Sequence, residues 1–214
     1  MNIYSHSIRI PNVSQSMRKK PQQQRAKLIV DHILQAAQIY IVEQGLMHIT
    51  TPKIAEKAGV SVGSLYQYFE NKEEIIQELL RRKSENLGLA LKQMVVTQEQ
   101  LSIQEIIPLS IQFGFDVMRA ESGFFIEVLK HWHGYNHSEA AQILEKHFFE
   151  LGMYLFNRFY RHWDFETLKH KSFVIINSTL FTMMRYVSNN SFLISEQQLR
   201  DELSNMILAY LAQK

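Results

Sequence analysis

The chain has no cysteine, only four prolines and eight glycines in 214 residues, and no run of 18 consecutive apolar side chains. Without cysteine there is no disulfide framework, no thiolate metal site and no cysteine nucleophile. That removes zinc fingers and one class of hydrolase, and it permits a reducing cytoplasm. The missing long apolar run, together with the lack of a signal-peptide core in the first 20 residues, predicts a cytoplasmic protein that is neither exported nor membrane-spanning. With 46% hydrophobic and 21% charged side chains, disorder is excluded as the main state. The composition suits one large domain, or a small domain joined to a larger one.

Net charge is small as well, only +2, so a strongly basic chain coated with nucleic acid is not indicated. Its distribution is uneven. Residues 1–72 carry nine basic side chains against four acids, whereas the remainder carries 14 against 17. An anion-binding head on a near-neutral body has this asymmetry.

Residues 1–22 mix Ser, Asn, Gln and Pro with scattered basic groups and read as a flexible basic arm, within which Met17 is an alternative start. From Ile29 the apolar residues Ile33, Ala36, Ala37, Tyr40 and Ile41 share one helical face, which Gly45 ends. Thr50 and Thr51 precede Pro52, a first-turn proline, and a short helix follows as far as Gly59. Ser61 caps a third helix, and Asn71 with Glu74 reads as a capping box for a fourth. Beyond Lys72 the pattern is helical throughout, over 72–96, 103–119, 122–134, 138–162, 165–188 and 196–212. Ser102, Ser138, Asp164 and Ser195 serve as caps, and Pro108 demands either a kink or a later start to the fifth helix. The expected class is all-α: a flexible arm to residue 22, a three-helix head over 23–71, and a six-helix body over 72–214.

The chemistry concentrates in TTPKIAEKAGVSVGSLYQYF, residues 50–69. Two short helices joined across a glycine turn, with Ile54, Ala55, Val60, Leu65 and Phe69 apolar, pack steeply as a helix-turn-helix. The second helix is then expected to expose Val62, Gly63, Ser64, Tyr66, Gln67 and Tyr68, a face of small and hydrogen-bonding groups without an acid. Such a face enters a DNA major groove about 12 Å wide without repelling phosphates. Gly63 permits close approach, and Ser64 and Gln67 offer hydrogen bonds to bases. Tyr66, Tyr68, Lys72 and the helix starts at Thr50, Thr51 and Ser61 suit phosphate. Each of these residues alone fits an ordinary structural role; the ensemble favours DNA.

The run IAEKAGVSVGSLYQYFENKEEI, residues 54–75, resembles the tetracycline-repressor (TetR) family of transcriptional regulators in its IA, AGVS, G-(S/T)-LY-x-YF and K-E-E elements. The resemblance covers about residues 25–78. It implies a nine-helix protein, phosphate contact from Thr50, Tyr66 and Lys72, and groove contact near Val62, Gly63, Ser64 and Gln67. Leu46, Ile49 and Val62 depart from the family pattern; Val62 offers a base only apolar contact, such as with a thymine methyl.

Of 24 aromatic residues, 17 lie between Phe113 and Tyr186, where they must fill a helical interior. An effector pocket is expected in the same region, since small-molecule sites between bundled helices are mostly apolar. Phe113, Phe125, Trp132, Phe156 and Tyr160 are the candidate contacts for a small hydrophobic effector. The last two helices carry Phe173, Ile176, Leu180 and Met184, then Leu199, Leu203, Met206 and Tyr210, at helical spacing. These read either as intrachain packing or, as the resemblance implies, as a four-helix homodimer interface. His131, His133 and His137 include an i, i+4 pair, but ordinary polar histidines explain them better than a metal does. No cofactor, metal or catalytic residue is expected, and no nucleophile elbow, phosphate loop or dinucleotide fingerprint occurs. The reading is a dimeric repressor on a palindromic double-stranded operator, released by its effector. An activator with the same head, or a helical metal- or ligand-handling enzyme, is the alternative.

Overall fold

A computed structural model describes residues 24–120, 123–124, 127–128, 131, 139–189 and 193–213. Eight α-helices run through them: α1 Gln24–Gln44, α2 Thr51–Ala58, α3 Val62–Tyr66, α4 Lys72–Val96, α5 Ile103–Ala120, α6 Glu139–Phe159, α7 Phe165–Asn189 and α8 Glu196–Ala212. A 3-10 turn over Leu46–His48, which the sequence reading lacked, joins α1 to α2. There is no strand among the described residues, as an all-α chain requires. Phe124, Glu127 and Val128 are helical, while most of the expected 122–134 helix, the 1–22 arm and the Ser138 cap lie outside the described residues. No described helix is long and apolar enough to cross a membrane.

The capping chemistry explains most boundaries. Asn71 accepts from the Glu74 N–H at 2.9 Å, but the Glu74 carboxylate reaches one residue further out, to the Glu70 N–H at 2.7 Å. Ser195 and Gln198 close a full reciprocal box on α8. On α5, Glu105 accepts from both the N–H and the hydroxyl of Ser102, and these bonds hold its carboxyl below the usual range. Asp164 accepts from the Thr167 N–H. Pro108 does not delay α5, which begins at Ile103 and runs through it. The carbonyl that loses its partner belongs to Gln104, in the first turn and on the same exposed side as Pro108, so the lost bond is not buried.

Two regions of core follow. The head core takes Val30, Ile33, Ala37 and Ile41 from α1, Ile54 and Ala55 from α2, and Leu65 and Phe69 from around α3. It also takes Ile75, Ile76, Leu79 and Leu80 from the start of α4, and Phe124 and Val128. In the body, Leu91, Val95, Ile106 and Leu151 join α4, α5 and α6. Ile103, Ile107, Ile111, Phe115 and Met183 pack with Leu199, Leu203 and Ile207 of α8. Lys171, itself buried, donates to the carbonyls of Tyr210 at 2.7 Å and Gln213 at 2.9 Å, tying the end of α8 to α7.

Beside the head core lies a buried charge cluster. Glu78 on α4 is fully buried. Arg81 donates to it through Nε at 2.7 Å and Nη2 at 2.9 Å, and Arg82 donates through Nε at 2.9 Å. Arg82 also donates to Asp31 on α1 at 2.5 Å. Removing one partner of such a cluster leaves buried charge uncompensated. Glu78→Ala is expected to lower stability by about 3–5 kcal/mol in urea denaturation; a loss below about 1 kcal/mol would show that the cluster does not hold the helices.

Candidate nucleic-acid interface

α2 ends at Gly59, whose φ of 67° is left-handed; its N–H returns to the Glu56 carbonyl at 3.1 Å and the Val60 N–H to Ala55 at 3.0 Å. A residue with a Cβ resists that conformation, so the glycine sets the angle between α2 and α3. Ser61 caps α3 by accepting from the Ser64 N–H at 3.0 Å, and its hydroxyl lies 2.8 Å from that of Ser64. Val62, Gly63 and Gln67 are exposed and Ser64 is half-buried. Gln67 follows the last turn of α3 with helical dihedrals. From Val62 to Phe69 no acid interrupts the surface.

Tyr66 is exposed, and its hydroxyl sits 3.0 Å from the Thr51 hydroxyl. The pair ties α3 to the first turn of α2, where Thr51 is buried. Thr50 precedes α2, exposed and with no side-chain capping bond, so its hydroxyl stands beside the positive end of the helix dipole. Lys72, at the start of α4, is half-buried. Tyr68 corrects the expectation of an outward ring: it is 8% exposed and belongs to the head core. The helix ends at Tyr66, and the chain turns back there, with the N–H groups of Tyr68 and Phe69 both donating to the Leu65 carbonyl. That turn carries the Tyr68 ring inward beside Phe69.

Behind this face, Glu127 reaches the head. Its Oε2 accepts from the Leu46 N–H at 3.3 Å, and a Cβ at Gly45 would come within 3.2 Å of the same oxygen. Gly45 is also left-handed, at φ 85°. Beside this contact is a cleft of about 430 Å³ lined by Val42, Glu43, Met47, His48, Glu127 and His131 among others. No group of three metal-ligating side chains occurs among the described residues, and His133 and His137 lie outside them.

Residues 33–79 match the sequence profile of the bacterial regulatory proteins of the tetR family. The match covers α1 from Ile33 through the first turns of α4. The fatty acid metabolism regulator protein of Bacillus subtilis is 35% identical over 75 residues, which are 33% of this chain and 39% of that protein. The transcriptional repressor KstR2 of Mycolicibacterium smegmatis is 41% identical over 51 residues, 24% of this chain and 25% of that protein. The chain thus spans well under two thirds of the length of these curated relatives, which are transcriptional regulators rather than enzymes. Among solved structures, FadR from Bacillus subtilis in complex with stearoyl-CoA aligns at 22% identity with a TM-score of 0.63, covering 86% of this chain and 97% of that one. The fatty acid degradation regulator FadR from Bacillus halodurans aligns at 19% with a TM-score of 0.64, covering 92% and 100%. The chain shares the fold of these structures.

In the body the candidate effector contacts are dispersed. Phe113 packs with the α4, α5 and α6 cluster. Tyr160 packs with the α5, α7 and α8 cluster and stacks on Trp163 at 4.3 Å. Phe156 is half-buried; Phe125 and Trp132 lie outside the described residues. The dimer candidates divide too. Phe173 is 60% exposed and Met206 42%, and Val174 and Phe181 expose further apolar surface on α7. Ile176, Leu180, Met184 and Tyr210 are half-buried. Leu199 and Leu203 correct the expectation, because they are buried within the chain, where they dock α8 onto α5. Sequence reasoning also missed Glu127, whose role depends on a contact 81 positions away. Glu127→Ala is expected to accelerate hydrogen exchange at the Leu46 amide while leaving the α4 amides unchanged; unchanged protection at Leu46 would show that the carboxylate does not hold the turn.

Proposed function

We propose that this protein is a cytoplasmic, homodimeric repressor of transcription that binds a palindromic operator and is released by a small hydrophobic effector. The head, 23–71, inserts α3 into the major groove, and the body, 72–214, binds effector and partner. The observation that carries the reading is the acid-free face of α3, held against α2 by the Tyr66–Thr51 hydroxyl contact and flanked by groups suited to phosphate. Val62, Gly63, Ser64 and Gln67 meet base edges; Thr50, Ser61, Tyr66 and Lys72 meet the backbone and set register. Thr51 acts through Tyr66.

The exposed apolar stripe of α7, Phe173, Val174 and Phe181, with Met206 of α8, supports pairing of two copies through this face. Two-fold pairing repeats the α3 face and calls for a symmetric operator. The effector class is supported by the FadR structures from Bacillus subtilis with stearoyl-CoA and from Thermus thermophilus with lauroyl-CoA, and by the aromatic-rich body. A molecule with a long apolar chain fits both. Release is linkage: an effector that prefers a body conformation with misplaced heads weakens DNA binding by that preference, typically about 1–3 kcal/mol.

Anisotropy titrations over a salt series test the head. Lys72→Ala is expected to weaken binding to every duplex and to reduce the salt slope by about one. Ser64→Ala blurs discrimination between operator and scrambled duplex, and Tyr68→Phe matches wild type. Equal losses on all duplexes for Ser64→Ala would remove Ser64 as a reader. For the dimer, Phe181→Arg is expected to sediment as a folded monomer; a persistent dimer would contradict pairing through α7.

A further inference from the structure

Polar groups are few inside the body, and two of them stand out. The side chains of Ser84 on α4, His147 on α6 and Ser172 on α7 are buried, and so is the Thr179 hydroxyl on α7. His147 Nδ1 and Thr179 Oγ1 are buried without a hydrogen-bond partner among the described residues. An unpaired buried polar atom costs folding free energy, so its retention calls for a reason.

His147 is only 8% exposed and falls in the apolar stripe of α6 with Leu144, Leu151 and Leu155. Its ring presses so closely on α4 that a Cβ at Gly88 would lie 2.3 Å from its Cγ; only glycine admits it. The ring has a defined polarity. Nε2 faces Glu85 Oε1 at 3.4 Å, and a carboxylate beside one nitrogen of a neutral imidazole favours the tautomer protonated there. Nδ1 is then a bare acceptor turned into the protein. It pairs with a hydroxyl or an amide N–H and repels an ether oxygen or a carboxylate.

We propose that His147 Nδ1 is the polar anchor of the effector site, accepting a hydrogen bond from the donor group of an otherwise apolar molecule held within the body on the side of the ring away from Gly88. The regulator reading above supplies the word effector; the donor requirement stands on the ring and its neighbours. The Cδ2 edge of the same ring packs on α4, the helix that enters the head core, so a molecule on Nδ1 acts on α4 through the ring.

The test uses the full-length protein without DNA and two probes of equal apolar body, 4-hexylphenol, which carries an O–H, and 4-hexylanisole, its methyl ether. Calorimetry is expected to show the phenol bound about tenfold more tightly than the ether, as one satisfied buried hydrogen bond implies. In His147→Phe the preference disappears while the ether still binds. Equal affinities in wild type, a preference that survives in His147→Phe, or no binding of either probe would overturn the proposal. Should His147→Phe fail to fold, nitrogen NMR of the wild-type ring decides. The Nδ1 resonance is expected to start as an unprotonated nitrogen and move upfield when the phenol is added. A resonance that stays still, or an Nδ1 already protonated, would refute the anchor. DNA binding measured on the probe-free protein separates the two readings: its presence with no donor preference sinks only the anchor, and its absence with the preference intact sinks only the regulator.

Discussion

One continuous helix serves two cores, and the geometry of the molecule follows from that. α4 spans 25 residues, about 37 Å at 1.5 Å per residue. Its first turns place Ile75, Ile76, Leu79 and Leu80 in the head core, and its last turns place Leu91 and Val95 in the body. Within the first stretch, Glu78 is buried against two guanidinium groups, one of which extends to Asp31 on α1. A buried cluster of this kind adds little net stability over an apolar equivalent, but its bidentate geometry admits few alternatives. Turning α1 relative to α4 breaks the Arg82–Asp31 bond, the part of the cluster that reaches across the two helices. Glu127 adds a second tie from outside α4, by accepting the Leu46 N–H in front of α2.

These constraints give the DNA-facing surface a rigid mount. α3 is only five residues long, too short to be stable by itself. It is held by Leu65 and Phe69 in the core, by Ser61 at its start, and by the Tyr66–Thr51 contact. Any shift that the body imposes on α4 or on Glu127 reaches α3 as a rigid-body displacement, because the elements between are close-packed. His147 of α6 is wedged against Gly88 of the same helix α4.

The head was legible because its signals are local. Pro52, Gly59, Ser61, Asn71 and Glu74 each act within four residues, and the start and end of α4 at Lys72 and Val96 coincide with those expected. Tyr68 was misplaced because α3 ends two residues before it, a boundary that apolar spacing does not mark. Leu199 and Leu203 show a deeper limit. Helical period identifies an apolar face, but whether a neighbour in the same chain or a second copy covers it depends on tertiary packing. The aromatic stripe mixed core and ligand surface for the same reason, and it drew attention from His147, the polar residue in the stripe of α6. The Glu127 contact has no local signature.

The central claim is that two copies of the α3 face meet one duplex in a symmetric pair. Selection of bound fragments from a random DNA pool by the full-length protein, with the mass of the bound complex measured alongside, tests it most directly. The account predicts enrichment of a two-fold symmetric sequence whose half-sites lie about one helical turn or a multiple apart, bound by an even number of chains and lost steeply as salt rises. Fragments without symmetry, binding by a single chain, or no enrichment at low salt would contradict it.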